Sequence, residues 1–446
     1  MTDDIFTLCA DAASMVKKLD STRPIRVVSH YDADGISAAG IICSALYQEG
    51  LNFHASLMRN PFDKGFKRIA EEENELIIFS DMGSGQIQSI ENLKTKCIIL
   101  DHHQYLRASK SKDIIQINAN NCGINGNYEA CGATLAYTFA KALNKKNLDL
   151  APLALTGAIG DKQHIGGIRG FNKKILDDAL QNNLLTTRIG SKIYGKSIND
   201  ALYYSIDPYY KGLSGNDKEI KKLLDQLKLS PEKPTKELDT NILKKLNSLL
   251  LLRLLDANID QRIIDIVFRT RYYSEKLGCE LERLADLLDA CGKNGARGLG
   301  LSICFGNEND LSEAESIEKD YKTKILQALQ NIEKGDLQHT AAFQYFYSDS
   351  SSLGGVVAGI AMNYVVDTSK PLLSLARKDD ELHISCRGTQ QLVEQGLDLG
   401  QAMNSIATEL EGFGGGHKIA AGATISLEKE VEFISKTTDI IKQQVK

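Results

Sequence analysis

Five short runs in the first third of the chain are mostly apolar: Ile25 to Ser29, Phe53 to Leu57, Leu76 to Ser80, Cys97 to Leu100 and Ile114 to Ile117. A strand with one wetted face alternates apolar and polar residues, because successive side chains point to opposite faces. Runs that are apolar throughout therefore predict strands buried on both faces, in a parallel sheet wrapped by helices. Helical spacing over Ile36 to Tyr47, Ala133 to Leu143 and Pro152 to Ile159 supplies the wrapping. In such sheets ligands bind beyond the carboxyl ends of the strands.

From about Phe171 to Asp265 the chain turns to Lys, Asn, Leu and Asp at helical spacing, broken by the turn Pro231 to Pro234. Ile242, Leu243, Leu246, Leu249 and Leu250 form a broad apolar helix face, which reads as core, with a docking surface as the sharper alternative. After a mixed segment, Ser312 to Glu315 reads as a capping box before a helix from Glu313 to Lys334, stopped at Gly335. At about 1.5 Å per residue it would be about 33 Å long, a connecting strut. A second α/β unit follows: strand Thr340 to Tyr347, helix Gly354 to Val365, strands Leu372 to Ala376 and Leu382 to Cys386, helix Leu399 to Leu410, then Gly412 to Ser426. The expected division is 1–170, a helical insert 171–265, a return segment and connecting helix 266–334, and a smaller C-terminal domain 335–446.

The totals narrow the class. A chain of 446 residues can hold two or three cores. A net charge of −5 argues against a generally basic coat and leaves a local basic groove open. Nine cysteines without a C-x-x-C pair fit free thiols in a reducing compartment. Met1 to Lys18 is acidic and lacks the apolar stretch of a signal peptide, and the longest apolar run, Leu249 to Leu255, contains Arg253 and is too short to span a bilayer. A cytoplasmic protein without a membrane partner is expected.

Chemistry enters where the apolar runs stop. The first strand leads into Ser29-His30-Tyr31-Asp32-Ala33-Asp34-Gly35, whose donors at alternate positions would point one way if the segment is extended. Leu76 to Ser80 ends in Asp81, with Gly83 and Gly85 after it; Cys97 to Leu100 ends in Asp101-His102-His103; Leu153 to Ile159 ends in Gly160-Asp161. Any one of these Asp residues could be a helix cap. Four segments ending at one sheet edge would instead bring them together. Carboxylates that close cannot all ionise without cations. The donor set suits Mn²⁺, Mg²⁺ or Zn²⁺, leaning toward Mn²⁺ or Mg²⁺. It is large enough for two ions, the arrangement of metal-assisted phosphoester hydrolysis. His54, His339 and His383 lack such a setting, and His164 is intermediate.

His30-x-Asp32-x-Asp34-Gly35, Asp81-x-Gly83, Asp101-His102-His103 and Asp161 together resemble, in order and spacing, the four motifs of the DHH phosphoesterase superfamily, and Gly414-Gly415-Gly416-His417 resembles the signature of its C-terminal DHHA1 domain. The compact first motif, the long connecting helix and Leu288-Asp-Ala-Cys291-Gly292 are most similar to the RecJ-type exonucleases. With little chain after Gly416 for an OB-fold, the sequence more closely resembles the archaeal forms, including the GINS-associated nuclease. The resemblance implies a parallel-sheet DHH catalytic domain and a smaller α/β DHHA1 domain. It implies two Mn²⁺ ions, or Mg²⁺: His30, Asp32 and Asp81 on one, Asp34, Asp81, His102 and Asp161 on the other, Asp81 bridging. Asp101 would orient a histidine, and His103 would face the scissile phosphate. In the C-terminal domain, Gly354-Gly355 before a helix would offer amides to a phosphate, Ser385 and Arg387 would match a Ser-x-Arg element, and Gly414, Gly415, Gly416 and His417 would meet the nucleotide. Tyr345, Tyr347 and Phe413 could stack bases, or be core.

The function so implied is a metal-dependent exonuclease on single-stranded DNA or RNA, yielding 5′-mononucleotides, in replication or repair with GINS docked on the insert. Catalytic roles fall to Asp101, His103, Arg387 and His417. The alternatives are an oligoribonuclease or cyclic-dinucleotide phosphodiesterase, and a replication-fork scaffold.

Overall fold

The structure, a computed structural model, describes residues 4–19, 23–59 and 64–445. In chain order the first elements are α1 (Ile5–Lys17), β1 (Ile25–His30), α2 (Ala33–Gln48), β2 (Phe53–Met58), α3 (Lys64–Glu71), β3 (Leu76–Ser80), α4 (Ile87–Glu91), β4 (Lys96–Asp101), β5 (Ile114–Asn118), α5 (Gly132–Leu143), α6 (Ala151–Gly160), α7 (Gly170–Gln181) and β6 (Thr186–Gly190). Then come α8 (Ile198–Tyr203), α9 (Asp217–Gln226), α10 (Thr240–Asp256), α11 (Gln261–Val267), β7 (Arg269–Ser274), β8 (Cys279–Glu280), α12 (Leu281–Lys293), α13 (Arg297–Cys304) and α14 (Leu311–Glu333). The last are β9 (Gln338–His339), β10 (Gln344–Tyr347), α15 (Ser351–Tyr364), β11 (Leu372–Lys378), β12 (Glu381–Arg387), α16 (Gln390–Glu394), α17 (Leu399–Glu409), β13 (Phe413–Gly416), β14 (Ala420–Ser426) and α18 (Glu430–Gln444). The chain divides into two compact units, 1–189 with 270–319, and 190–269 with 320–446.

In the first unit the strands form a parallel sheet in the order β2-β1-β3-β4-β5 among the described residues. The three central strands are buried almost throughout, as their apolar runs require, while the edge strands β2 and β5 are only partly covered. Register aligns the carboxyl ends: Ser29 lies opposite Ser80, and Ser80 opposite Leu100. The buried Ser80 hydroxyl donates to Ser29 Oγ (2.7 Å), and Ser29 donates to the Gly35 carbonyl (2.7 Å). His30, Asp81 and Asp101 therefore leave the sheet along one braced edge. Buried along nearly its whole length, α2 is rich in small residues that let α5 and α6 approach. The apolar face of α1, an element the periodicity left unread, adds Ile5, Cys9 and Val16 to this core.

Two local readings change. β1 ends at His30 and α2 begins at Ala33, so the donors of the first motif do not alternate along an extended segment. His30 projects from the strand, Asp32 caps the helix by accepting from Gly35 N (3.1 Å), and Asp34 projects from its first turn. Of the strand expected over Thr340 to Tyr347 only β10 forms; the residues before it make a turn that follows β9, in which Thr340 Oγ1 accepts from the amides of Ala342 and Phe343.

The second unit is built on a sheet in the order β13-β14-β12-β11-β10-β9 among the described residues, with β10 and β11 parallel and the other pairs antiparallel. α15 packs against one face, and its apolar side continues into residues 193–267 and α14. α17 and α18 cover the other face. Of the predicted face on α10, Leu246 and Leu250 are core, with Leu254. No helix among the described residues is long and apolar enough to cross a membrane.

Candidate metal centre

At the carboxyl edge of the first sheet, Asp81 holds the centre of a cluster. Its Oδ2 is 3.3 Å from His30 Nδ1, and its Oδ1 is 3.1 Å from His102 Nε2. On the first side Asp32 Oδ2 lies 2.8 Å from the same His30 nitrogen. On the second, Asp161 Oδ2 lies 3.2 Å and Asp34 Oδ2 3.9 Å from His102 Nε2. One ligand atom from each of His30, Asp32 and Asp81 falls within a 4.8 Å span, and so does one from each of Asp34, His102 and Asp161. A third such set, Asp81, His102 and His103, overlaps both. His30 Nδ1 is buried and aligned as a hydrogen bond to neither neighbouring carboxylate, the geometry of atoms that converge on a point between them.

The electrostatics of this donor set call for cations. Burial, with the charge of Asp81 behind it, pushes Asp34 up to about 7. Burial and Asp34 push Asp161 well above the carboxylate range, and burial and Asp81 raise Asp32. Burial opposes charge on the imidazoles, but Asp32 and Asp81 outweigh it and raise His30 to about 11; Asp81 and Asp161 likewise raise His102 far above its ordinary value. Asp81 itself is held low despite burial, by His102 and His30. Crowded carboxylates must be compensated by protons or by metal ions, and the O/N donors present fit Mn²⁺ or Mg²⁺.

The supporting contacts come from loops and helix ends. The N-terminal amides of α5, on Gly132 and Ala133, donate to Asp34 Oδ2 (2.7 Å) and Oδ1 (2.9 Å). Asp101 accepts from Ser84 N (2.8 Å) and from His103 Nδ1 (2.8 Å), so it orients His103, whose ring is half-exposed. His102 is instead oriented by the Gly126 carbonyl, 2.6 Å from Nδ1. Asp161 is delivered by the end of a helix, α6, and not by a strand. Tyr31, between two members of the cluster, is flanked by Arg59 (6.0 Å) and Arg297 (5.6 Å), each set over its ring. His164 is buried 3.3 Å from Glu282, apart from the cluster.

In the second unit, residues directly opposite across strands share a face. Ser374, Ser385, Gly422 and Gly415 align in this way, with Arg387 beside Ala420 and Phe413 beside Thr424. That is the face α15 packs on. Gly354 and Gly355 lie within α15, and the Gly354 amide is donated to the Ser350 carbonyl (3.0 Å), so it is not free for a phosphate. Their role is clearance: a Cβ at Gly355 would sit 2.9 Å from Arg387 Nη2 and 3.3 Å from Ser385 Oγ. Burial lowers the pKa of Arg387, whose Nη1 donates to the Cys386 carbonyl (2.8 Å). Gly414 to Gly416 form a strand and not a turn; Gly414 is needed because α17 packs against it, a Cβ there meeting the Met403 carbonyl at 2.2 Å. His417 is exposed on the hairpin leading to β14. Phe413 is 84% exposed, whereas Tyr347 donates to Glu430.

The model for the DHH family, N-terminal domain, matches residues 24–158, and that for the DHHA1 domain matches residues 341–443. An uncharacterised protein of Methanocaldococcus jannaschii is 30% identical over 429 residues, covering 95% of this chain and 94% of that one. The chain belongs to the DHH/DHHA1 family. In fold it is similar to RecJ from Thermus thermophilus in complex with Mn²⁺ (TM-score 0.61, 15% identity, 98% of this chain), of which it spans 55%. It is also similar to CDC45 from Entamoeba histolytica (TM-score 0.66, 12% identity, 99% of this chain and 100% of that). The fold is the RecJ-like DHH/DHHA1 phosphoesterase fold.

Within this DHH/DHHA1 chain, the motif positions converge, but the contacts that aim them were not read from the sequence. Gly132 and Ala133 carried a partial signal, since two small residues open a predicted helix. Gly126, Arg59 and Arg297 carried none.

Proposed function

We propose that this protein is a metal-dependent exonuclease that hydrolyses single-stranded nucleic acid to 5′-mononucleotides. The observation that carries the reading is Asp81, whose two carboxylate oxygens face His30 with Asp32 on one side and His102 with Asp34 and Asp161 on the other. Those six residues would hold two divalent cations, Mn²⁺ or Mg²⁺. The cations would supply charge neutralisation at the phosphoryl oxygens and acidify water for attack. Water adds to phosphorus, the P–O3′ bond breaks, and the proton balance closes on a 3′-hydroxyl and a 5′-phosphate. His103, its Nδ1 tied to Asp101, presents its other nitrogen outward and can donate to a phosphoryl oxygen or to the leaving group. Arg59 and Arg297 beside Tyr31 are suited to a phosphate, and Arg387 with Ser385 to another. Gly415, with nothing within 4 Å of a would-be Cβ, His417 and the exposed Phe413 ring offer a surface for sugar and base. GINS is the protein partner that the resemblance supports.

The test is release of nucleotides from end-labelled DNA and RNA strands with Mn²⁺ and Mg²⁺ in parallel. Asp34→Ala is expected to reduce it to background, and Asp101→Ala by about 10- to 100-fold. Full activity in Asp34→Ala would overturn the reading. Preference for dinucleotides over long strands would replace it with an oligonucleotide or cyclic-dinucleotide phosphodiesterase.

A further inference from the structure

Behind the cluster lies a buried amide chain that the chemistry above does not use. Gln163, 3% exposed, follows Asp161 in the loop after α6. Its Nε2 donates to the carbonyls of Gly126 (3.0 Å) and Ala130 (2.9 Å), and its Oε1 accepts from Asn172 Nδ2 (2.6 Å). Asn172 is fully buried and anchored by its own amide, which donates to the Glu129 carbonyl (2.7 Å). Burying a glutamine is costly unless its hydrogen bonds are made, and a residue kept only to fill space would be apolar.

The Gly126 carbonyl accepts from both Gln163 and His102 Nδ1. A carbonyl can only accept, so His102 carries a proton on Nδ1, and Nε2, facing Asp81 and Asp161, is the nitrogen that would give up its proton to a cation. Gly126 is pinned on its other side as well: its amide donates to Asn120 Oδ1 (3.0 Å), and Asn120 Nδ2 donates to the His102 carbonyl (2.9 Å). Two acceptor carbonyls fix the Gln163 amide with nitrogen toward them, and the Asn172 donor fixes its oxygen the other way.

We propose that Gln163, oriented by Asn172, is a positioning residue for His102: by holding the Gly126 carbonyl against Nδ1 it fixes the ring's orientation and where Nε2 points, and so sets the affinity of the centre for divalent cations. This rests on the metal-site reading above. Ligand orientation by outer hydrogen bonds is worth roughly 10- to 100-fold in metal affinity.

The experiment compares the full chain with Gln163→Met, which keeps the volume and removes the amide, by Mn²⁺ titration calorimetry and by exchange of the His102 Nδ1 proton in nitrogen-15 spectra of the metal-free protein. The proposal expects about 10- to 100-fold weaker Mn²⁺ binding and faster exchange of that proton in a chain that still folds by circular dichroism, with a lowered melting temperature because methionine leaves the Ala130 carbonyl and Asn172 Nδ2 buried without their partner. Wild-type affinity with a protected Nδ1 proton would overturn it. Should Gln163→Met fail to fold, Asn172→Asp carries the test. Ionised, a carboxylate there can only accept, so above the pH at which the buried Asp loses its proton it would turn the Gln163 amide and set its oxygen against two carbonyls, with the same expected losses. If the wild-type chain itself binds no Mn²⁺, the metal-site reading fails, while the Nδ1 exchange rates still decide the positioning claim.

Discussion

Asp81 shows how much a single residue is asked to do. It is a non-glycine residue held at φ 55°, a left-handed conformation that costs about 1–2 kcal/mol and clusters at functional sites. That turn lets one carboxylate face two histidines at once. Asp81→Asn keeps the shape and removes the charge. It is expected to lower Mn²⁺-dependent turnover by more than about 100-fold with the fold intact by circular dichroism. Retained turnover would show that Asp81 does not bridge. In the proposed function Arg387 would make a different contribution, because a phosphate contact carries no sequence information. Arg387→Ala is expected to weaken binding of single strands evenly across sequences and to lower the slope of log K against log salt by about 0.7. The cluster members were legible because each is a polar residue where an apolar run stops. Arg59 and Arg297 were not, since nothing local marks an arginine that a distant segment sets over Tyr31.

Among the elements, what the sequence makes legible follows how each is buried. The three central sheet strands were legible because burial on both faces leaves a largely apolar run, while β2 and β5 at the edges are only partly covered. The start of α2 was not: Asp34-Gly35 reads as loop, and the cap that lets the helix begin at Ala33 includes a tertiary acceptor, Asp289 on α12, bonded to the Ala33 amide (3.0 Å). The meeting of α2 with α5 and α6 rests on glycine. A Cβ at Gly157 would lie 2.4 Å from both Asp34 Oδ1 and the Ala133 Cβ. Gly157→Ala is therefore expected to cost about 1–3 kcal/mol in urea unfolding and to weaken Mn²⁺ binding, since Asp34 must move. Gly298→Ala is the control: it lies in α13 with nothing within 4 Å of a Cβ. There alanine is expected to add about 0.5–1 kcal/mol through helix propensity and to leave the metal titration unchanged.

At the scale of the molecule, the second unit depends on segments far apart in sequence. Leu246, Leu250 and Leu254 of α10 share a core with Val357, Ala358, Ala361 and Tyr364 of α15. Helical periodicity in the sequence identifies Leu246 and Leu250 as buried but cannot say against what, because the partner helix lies more than a hundred residues on. A chain lacking residues 190–269 would leave that side of α15 bare. At about 25 cal/mol per Å² of apolar surface, losing even a few hundred Å² of cover removes much of a typical 5–15 kcal/mol stability. The deletion is expected to bind a hydrophobic dye and to lose the cooperative unfolding of the second unit, so it is a poor test of docking by the insert. Leu252 and Leu255, 52% and 45% exposed on the same helix, allow a cleaner one. If GINS docks here, as proposed, Leu252→Glu with Leu255→Glu is expected to leave the melting temperature and Mn²⁺-dependent turnover unchanged and to abolish its capture; unaltered capture would remove this face of α10 as the docking site.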